Sequence, residues 1–137
     1  MFTLTLVTPE KKIVAGSEIE EVFVPAHRGE LNILPGHAPL MTTLETGVLK
    51  YRLKGESTLH YVAISWGYAQ VNPTGVNVLA ETAERAEDID LKRVDEALKN
   101  AQSTLASDQT PESIEKYRLK IARANVRKSV AQHGTTH

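Results

Sequence analysis

Gly29-Glu30-Leu31-Asn32-Ile33-Leu34-Pro35-Gly36-His37-Ala38-Pro39-Leu40 sets two glycines, two prolines, an acid and a histidine inside an otherwise strand-like region. The apolar run 31–34 is stopped by Pro35-Gly36. That pair favours a type II turn, because proline fixes φ and glycine accepts a positive one. Glu30 and His37 flank the run, so a short strand and a turn can bring both to one edge of a sheet, exposed and able to pair or to meet a partner. On residue types alone, two solvated polar groups on a loop account for them as well.

On either side of this stretch the hydrophobic period is two. Phe2, Leu4 and Leu6 share one face, and Ile19, Val22 and Val24 follow a turn expected around Gly16-Ser17. A strand is expected near residues 40–44, and Gly47 opens another in which Leu49, Tyr51 and Leu53 alternate with Lys50 and Arg52. Lys54-Gly55-Glu56 reads as a hairpin turn, residues 59–64 pair back, and Trp66-Gly67 is expected to break the strand. Residues 68–71 and 76–79 form a last hairpin around Asn72-Pro73-Thr74-Gly75. So many short strands with one apolar face predict two sheets packed as an antiparallel β-sandwich or flattened barrel.

After Leu79 alanine and acid replace the β-branched residues, which marks the passage from strand to helix. The predicted organisation is therefore α+β: a β-sandwich over residues 1–86, then an antiparallel two-helix hairpin over 87–137. Asp88 or Asp90 caps a helix whose Leu91, Val94, Leu98, Ala101 and Leu105 recur at three and four. Ser107-Asp108-Gln109 makes the turn. Thr110-Pro111-Glu112 then opens a second helix with a cap, a proline at the first helical position and an early acid. Its stripe is Ile114, Tyr117, Ile121 and Ala124, with Leu119, Ala122, Val126 and Val130 beside it.

Charge divides within the hairpin. Residues 81–96 hold seven acids against three bases, a net of −4, and residues 112–132 hold six bases against two acids, a net of +4. Folded down, the two attract; opened, the second helix shows a cationic face. Incidental pairs on two solvated helix faces are the plainer account, each worth under ~1 kcal/mol.

Over 137 residues, sixteen bases and seventeen acids leave a net charge of −1, so no basic field recruits nucleic acid or an anionic membrane. There is no cysteine, hence no disulfide and no thiolate metal site. No segment approaches the ~20 apolar residues of a membrane span, so direct membrane insertion is not expected. No nucleophile, base and orienting acid stand out, and His27, His37, His60, His133 and His137 lack a chelating spacing, so neither a catalytic nor a metal site is expected. His60 is expected simply to face solvent on its strand.

Residues 29–40 resemble the signature segment of the epsilon subunit of the rotary proton-translocating ATP synthase of bacteria. Asn32 stands where that family usually has glycine, a mild change because asparagine tolerates a left-handed backbone. A sandwich followed by a helical hairpin is also how that subunit is built, so the resemblance covers nearly the whole chain. It implies a non-catalytic subunit with no required cofactor, whose sandwich binds the gamma subunit at the foot of the rotor and touches the ring of c subunits. Glu30 and His37 match the acid and histidine near that ring. It also implies a hairpin that lies on the sandwich or extends along gamma into the catalytic alpha/beta head, where it inhibits ATP hydrolysis. The location implied is the cytoplasmic face of the plasma membrane, held peripherally through the complex.

Ile89-Asp90-Leu91-Lys92-Arg93-Val94 resembles the Ile/Leu-Asp-x-x-Arg-Ala motif through which some bacterial members bind regulatory ATP. By the same resemblance Arg123 and Arg127 match second-helix arginines, and Glu84 an acid beside the site. Guanidiniums at i and i+4, with Arg93, suit phosphates. Val94 replaces the motif alanine, and Asn100 stands where ATP-binding members carry another arginine; both changes should weaken binding. The alternative reading is a free-standing ATP-sensing module whose hairpin closes on nucleotide.

Overall fold

Alternation drives the first strand as expected: Leu4 and Leu6 are buried in β1 (Thr3–Val7), and Phe2, just before it, is buried with them. The computed structural model describes residues 1–134, so Thr135, Thr136 and His137, which close the predicted hairpin domain, lie outside it. The described residues add β2 (Lys12–Ala26), β3 (Gly29–Ile33), β4 (Leu40–Leu44), β5 (Gly47–Leu53), β6 (His60–Asn72) and β7 (Gly75–Arg85). A single 3-10 turn, Ala86–Asp88, then leads into two helices, α1 (Leu91–Ser107) and α2 (Pro111–Gly134).

Hydrogen bonding runs in a closed circuit, β1 to β2, β2 to β5, β5 to β6, β6 to β7, and β7 back to β1. β3 hangs on the outer side of β2, and β4 continues the line of β5 along β6. The result is the expected sandwich in its flattened-barrel form. All of these pairs are antiparallel except β1 with β7, where Thr3 lies beside Gly75 and Val7 beside Leu79 in parallel. Inside, Leu4, Leu6, Val22, Val24, Ile33, Leu49 and Val62 have no exposed surface. Each such side chain contributes about 1.5–3 kcal/mol by leaving water.

At the signature stretch the structure is the one the residues dictate. His37 N donates to Leu34 O at 3.2 Å, and Gly36 takes φ 83°, which is the type II turn over Pro35-Gly36. Asn32, however, sits in extended β3 opposite Phe23, so its tolerance of a left-handed backbone is not used.

Two glycine signals read differently in space. Gly16 does not turn the chain; the reversal comes earlier, where Thr8 N donates to Lys11 O at 2.8 Å and Thr8 Oγ1 accepts from two backbone amides. Gly16, at φ 65°, lies within β2 beside a register slip against β1, which makes it part of a bulge in one long strand. Nor do Trp66-Gly67 end their strand. β6 runs through them with Trp66 at φ 51° and Gly67 at φ 154°. A Cβ on Gly67 would lie 2.0 Å from Leu79 O, so only glycine fits. Before this point Val62 and Ile64 face the core, after it Ala69 and Val71 do. The same strand pairs with β5 before the kink and with β4 after it.

Of the two candidate caps, Asp90 caps α1: its Oδ1 accepts from Lys92 N at 3.1 Å and Arg93 N at 3.3 Å. Thr110 Oγ1 accepts from Ser113 N at 3.3 Å at the start of α2, with Pro111 at the first helical position. Of the second stripe on α2, Leu119 and Ala122 are exposed, and the C-terminal half does the packing. Val130 is fully buried with Ala63 and Ala86, ringed by Val48, Tyr61, Ile89 and Val126. The His133 ring stacks on Tyr61 with centroids 4.2 Å apart. Thus α2 lies on β5, β6 and β7, α1 packs chiefly on α2, and the hairpin is folded down. His60 is partly exposed, as expected, yet it also stacks on Tyr51 and contacts Glu56 Oε2 at 3.0 Å.

Candidate functional site

Between α1, α2 and the sheet lies a half-open cavity of about 600 Å3. Its floor is the outer face of β6 and β7, with Ala63, Ser65, Thr82 and Glu84. Ser65 is buried, and its hydroxyl is satisfied by Thr82 Oγ1 at 2.5 Å. One wall is α1 through Asn100 and Thr104; the other is α2 through Tyr117, Lys120, Arg123 and Arg127. The spacing 120, 123, 127 places three cations along the one face of α2 that borders this cavity.

Their partners differ. Arg127 is held by Glu84: Nη2 donates to Oε2 at 3.1 Å, and Nε lies 2.6 Å from Oε1 but off line for a hydrogen bond. Arg123 has no hydrogen bond or ion pair among the described residues, and its Nε is buried without an acceptor. Lys120 Nζ rests 5.1 Å from the Tyr117 ring centre. A buried, unpaired guanidinium N–H costs desolvation that an anionic ligand would offset. The charge division also appears in contacts, with Lys128 Nζ 3.1 Å from Asp95 Oδ1 between the helices.

The structure thus brings Glu84, Arg123 and Arg127 together on the cavity lining, of which Ile89, Asp90 and Arg93 are not part. Ile89 packs against the small core around Val130, the Asp90 carboxylate is occupied as a helix cap, and Arg93 is exposed on the first turn of α1. Of the two departures from the ATP motif, Asn100 lines the cavity, whereas Val94 is fully buried and does not. Lys120 and Tyr117 were not singled out by sequence as site residues. The run of cations at three and four along α2 was the signal that could have found Lys120.

Glu30 sits near the start of β3, the strand whose outer edge carries no partner among the described residues, and His37 lies in the turn beyond its end. Four residues of strand, about 13 Å, separate Glu30 from the turn that His37 closes. They do not meet each other. Glu30 Oε2 pairs with Lys50 Nζ at 3.0 Å across β2, and His37 Nδ1 approaches Ala38 O at 2.7 Å. Near them Leu34 and Met41 expose half or more of their surface, and Tyr68 and Leu79, neighbours on β6 and β7, are also exposed.

Among the described residues no helix is long and apolar enough to cross a membrane, and no three acids and histidines gather as a metal site would require.

Residues 1–86 match the family described as ATP synthase, Delta/Epsilon chain, beta-sandwich domain. The ATP synthase epsilon chain of Bdellovibrio bacteriovorus is 61% identical over 95 residues, covering 69% of this chain and 68% of the relative. That of Citrifermentans bemidjiense is 43% identical over 128 residues, covering 92% and 90%. Among solved structures, a chain of the Euglena gracilis mitochondrial ATP synthase, in an assembly of OSCP, F1 and c-ring, superposes with a TM-score of 0.81. It covers 99% of this chain and 81% of its own at 20% identity, a likeness of fold. A chain from the Tetrahymena thermophila mitochondrial ATP synthase central stalk and c-ring gives 0.57 at 19% identity, with 98% and 96% covered.

Proposed function

This chain belongs to the epsilon-chain family of ATP synthase, a non-catalytic subunit of that complex, and from this membership we propose that it works in the central-stalk rotor. There it couples rotation of the c-subunit ring to the catalytic alpha/beta head and restrains ATP hydrolysis through its helical hairpin. Residues 1–86 bind gamma and the ring, and residues 87–137 regulate. The observation that carries the reading is how the hairpin is held. Its ties to the sandwich include one small apolar cluster around Val130, separate from the main core, the Arg127–Glu84 pair and the His133–Tyr61 stack. An element that packs on a cluster of its own, apart from the core that holds the strands, can leave without unfolding them.

The exposed apolar strip of Met41, Tyr68 and Leu79 supports a protein-binding face for gamma. The free edge of β3, with Glu30 on the strand and His37 in the turn after it, supports contact with polar loops of the ring. Fold relatives come from an assembly of OSCP, F1 and c-ring and from one of central stalk and c-ring, which is consistent with these partners. On this reading the protein sits peripherally at the cytoplasmic face of the plasma membrane, brought there by the complex. Adding the chain to an epsilon-depleted ATPase should lower hydrolysis, and truncation after Glu87 should remove that effect. If hydrolysis is the same in both cases, the inhibitory role is wrong.

A second reading, a free ATP-sensing module, rests on the unpaired Arg123 in a cavity of ligand size. No cofactor is required on either reading; ATP acts as a regulator. Calorimetry should show ATP binding that the Arg123→Ala, Arg127→Ala double variant loses. Absence of heat with the unsubstituted chain removes the sensor and leaves the rotor role standing.

A further inference from the structure

We infer that Lys50 is a positioning residue for the ring contact: it holds the Glu30 carboxylate at the free edge of β3 and leaves one of its oxygens open to a hydrogen-bond donor on the ring. The inference rests on the reading above that Glu30 meets the ring. Glu30 stands on a strand that hydrogen-bonds only to β2 among the described residues, and Lys50 stands on β5, at the other side of β2. In the register Asn32, Phe23 and Lys50 form one row across the three strands, and Glu30 lies beside Pro25, two residues along. Two strand spacings, about 9.6 Å, separate the backbones of β3 and β5. The Lys50 side chain crosses that gap, with Nζ 4.9 Å from the centre of the Phe23 ring and 3.0 Å from Glu30 Oε2.

Phe23 gives the ammonium a bed on which the cation is attracted to the ring face. The Lys50 side chain is 25% exposed and that of Glu30 48%, so the better-held partner orients the freer one. Glu30 Oε1 takes neither an ion pair nor a hydrogen bond among the described residues, which leaves it as the oxygen a ring donor would meet. Two effects of Lys50 on that donor oppose each other. Lys50 offsets the negative charge of Glu30, which weakens the attraction, and it has already ordered a side chain that the ring would otherwise have to order on binding. Water and salt screen a half-exposed pair, so the first effect is small and positioning wins. For the same reason the pair adds little to the stability of the fold, which lets the two roles be separated.

The test is to titrate membrane vesicles carrying the epsilon-depleted synthase with the full chain and its variants, reading the concentration that restores half of ATP-driven proton pumping. Lys50→Met keeps an apolar stem over Phe23 and removes the charge; it should raise that concentration about three- to tenfold, the loss from freeing one ordered side chain. Its urea unfolding midpoint should stay close to that of the unsubstituted chain, and Lys50→Arg should restore the original concentration. The double exchange Glu30→Lys, Lys50→Glu rebuilds the tie between β5 and β3 but carries the acid away from the edge. It should therefore keep the midpoint and fail to restore pumping, which decides the matter even where Lys50→Met also lowers the midpoint. The inference is overturned if Lys50→Met restores pumping at an unchanged or lower concentration while Glu30→Ala raises it, or if the double exchange pumps as well as the unsubstituted chain. In those cases the ring contact of Glu30 is judged by Glu30→Ala alone. If Glu30→Ala has no effect, or the unsubstituted chain restores no pumping, the ring reading fails and the inference with it.

Discussion

Val130→Ala should free the hairpin without unfolding the sandwich. Val130 has no exposed surface, and it packs with Ala63 and Ala86 in a cluster separate from the main core. Removing its two methyl groups loses about 1.6 kcal/mol of transfer free energy at ~0.8 per carbon. The space left behind brings the cost to about 2–3 kcal/mol, as for other large-to-small changes in packed sites. At 1.4 kcal/mol per tenfold, the docked hairpin becomes about 30- to 150-fold less favoured against the released one. Hydrogen exchange reads this directly: amides of α2 should lose protection by that factor, while those of β1, β2 and β7 keep theirs. Loss of protection in both parts together would show that the hairpin and sandwich form one cooperative unit, and the reasoning would fail. Unchanged exchange in α2 would refute it equally, by showing that Val130 is not what holds the helix down.

Gly67→Ala should destabilise the sandwich by about 3–5 kcal/mol, since the new Cβ would meet Leu79 O at 2.0 Å; urea unfolding followed by circular dichroism measures it. Asp90→Ala should cost about 1 kcal/mol through loss of the α1 cap, and Asp90→Asn close to nothing; equal losses in thermal melts of the two variants would mean that the negative charge does more than cap. Hydrogen bonds from Ser113 and Thr110 hold the Asp108 carboxyl below its ordinary value of 3.8. A depressed carboxyl stabilises the fold above its unfolded pKa and loses that contribution as pH falls through the folded one, so the turn between α1 and α2 should loosen below about pH 3.8. Ser113→Ala should move the Asp108 titration, followed by NMR, back toward that ordinary value.

Strand positions were legible in the sequence because burial on one face imposes a period of two, and the signature turn was legible because Pro35-Gly36 admits few conformations. What periodicity could not convey was which strand lies beside which. The parallel pairing of β1 with β7 joins residues far apart in the chain, and no local pattern encodes it. Glycine was ambiguous for a related reason. At Gly36 a positive φ makes a turn, at Gly16 it makes a bulge, and at Gly67 it serves a kink that tight contact with β7 demands; the residue type is the same in all three. Within the site, Glu84, Arg123 and Arg127 converge in the cavity, whereas Asp90 and Arg93 do not line it. The difference lies in competition. The Asp90 carboxylate has two backbone N–H groups of α1 to satisfy before any ligand, and the first turn of that helix carries Arg93 outward.

The parallel seam between β1 and β7 also sets an order of assembly. β1 is made early but its partner β7 comes last of the strands, so the barrel closes only when most of the chain exists. Contacts of such long sequence separation form slowly. β7 also carries Glu84, and the turn after it carries Ala86, so the bed on which α2 lies is completed by the same late event. A ribosome therefore releases the arm's landing place and the arm itself in that sequence, and a chain arrested before β7 closes has helices with nowhere to rest. The moving part of this protein cannot be set before its frame is shut.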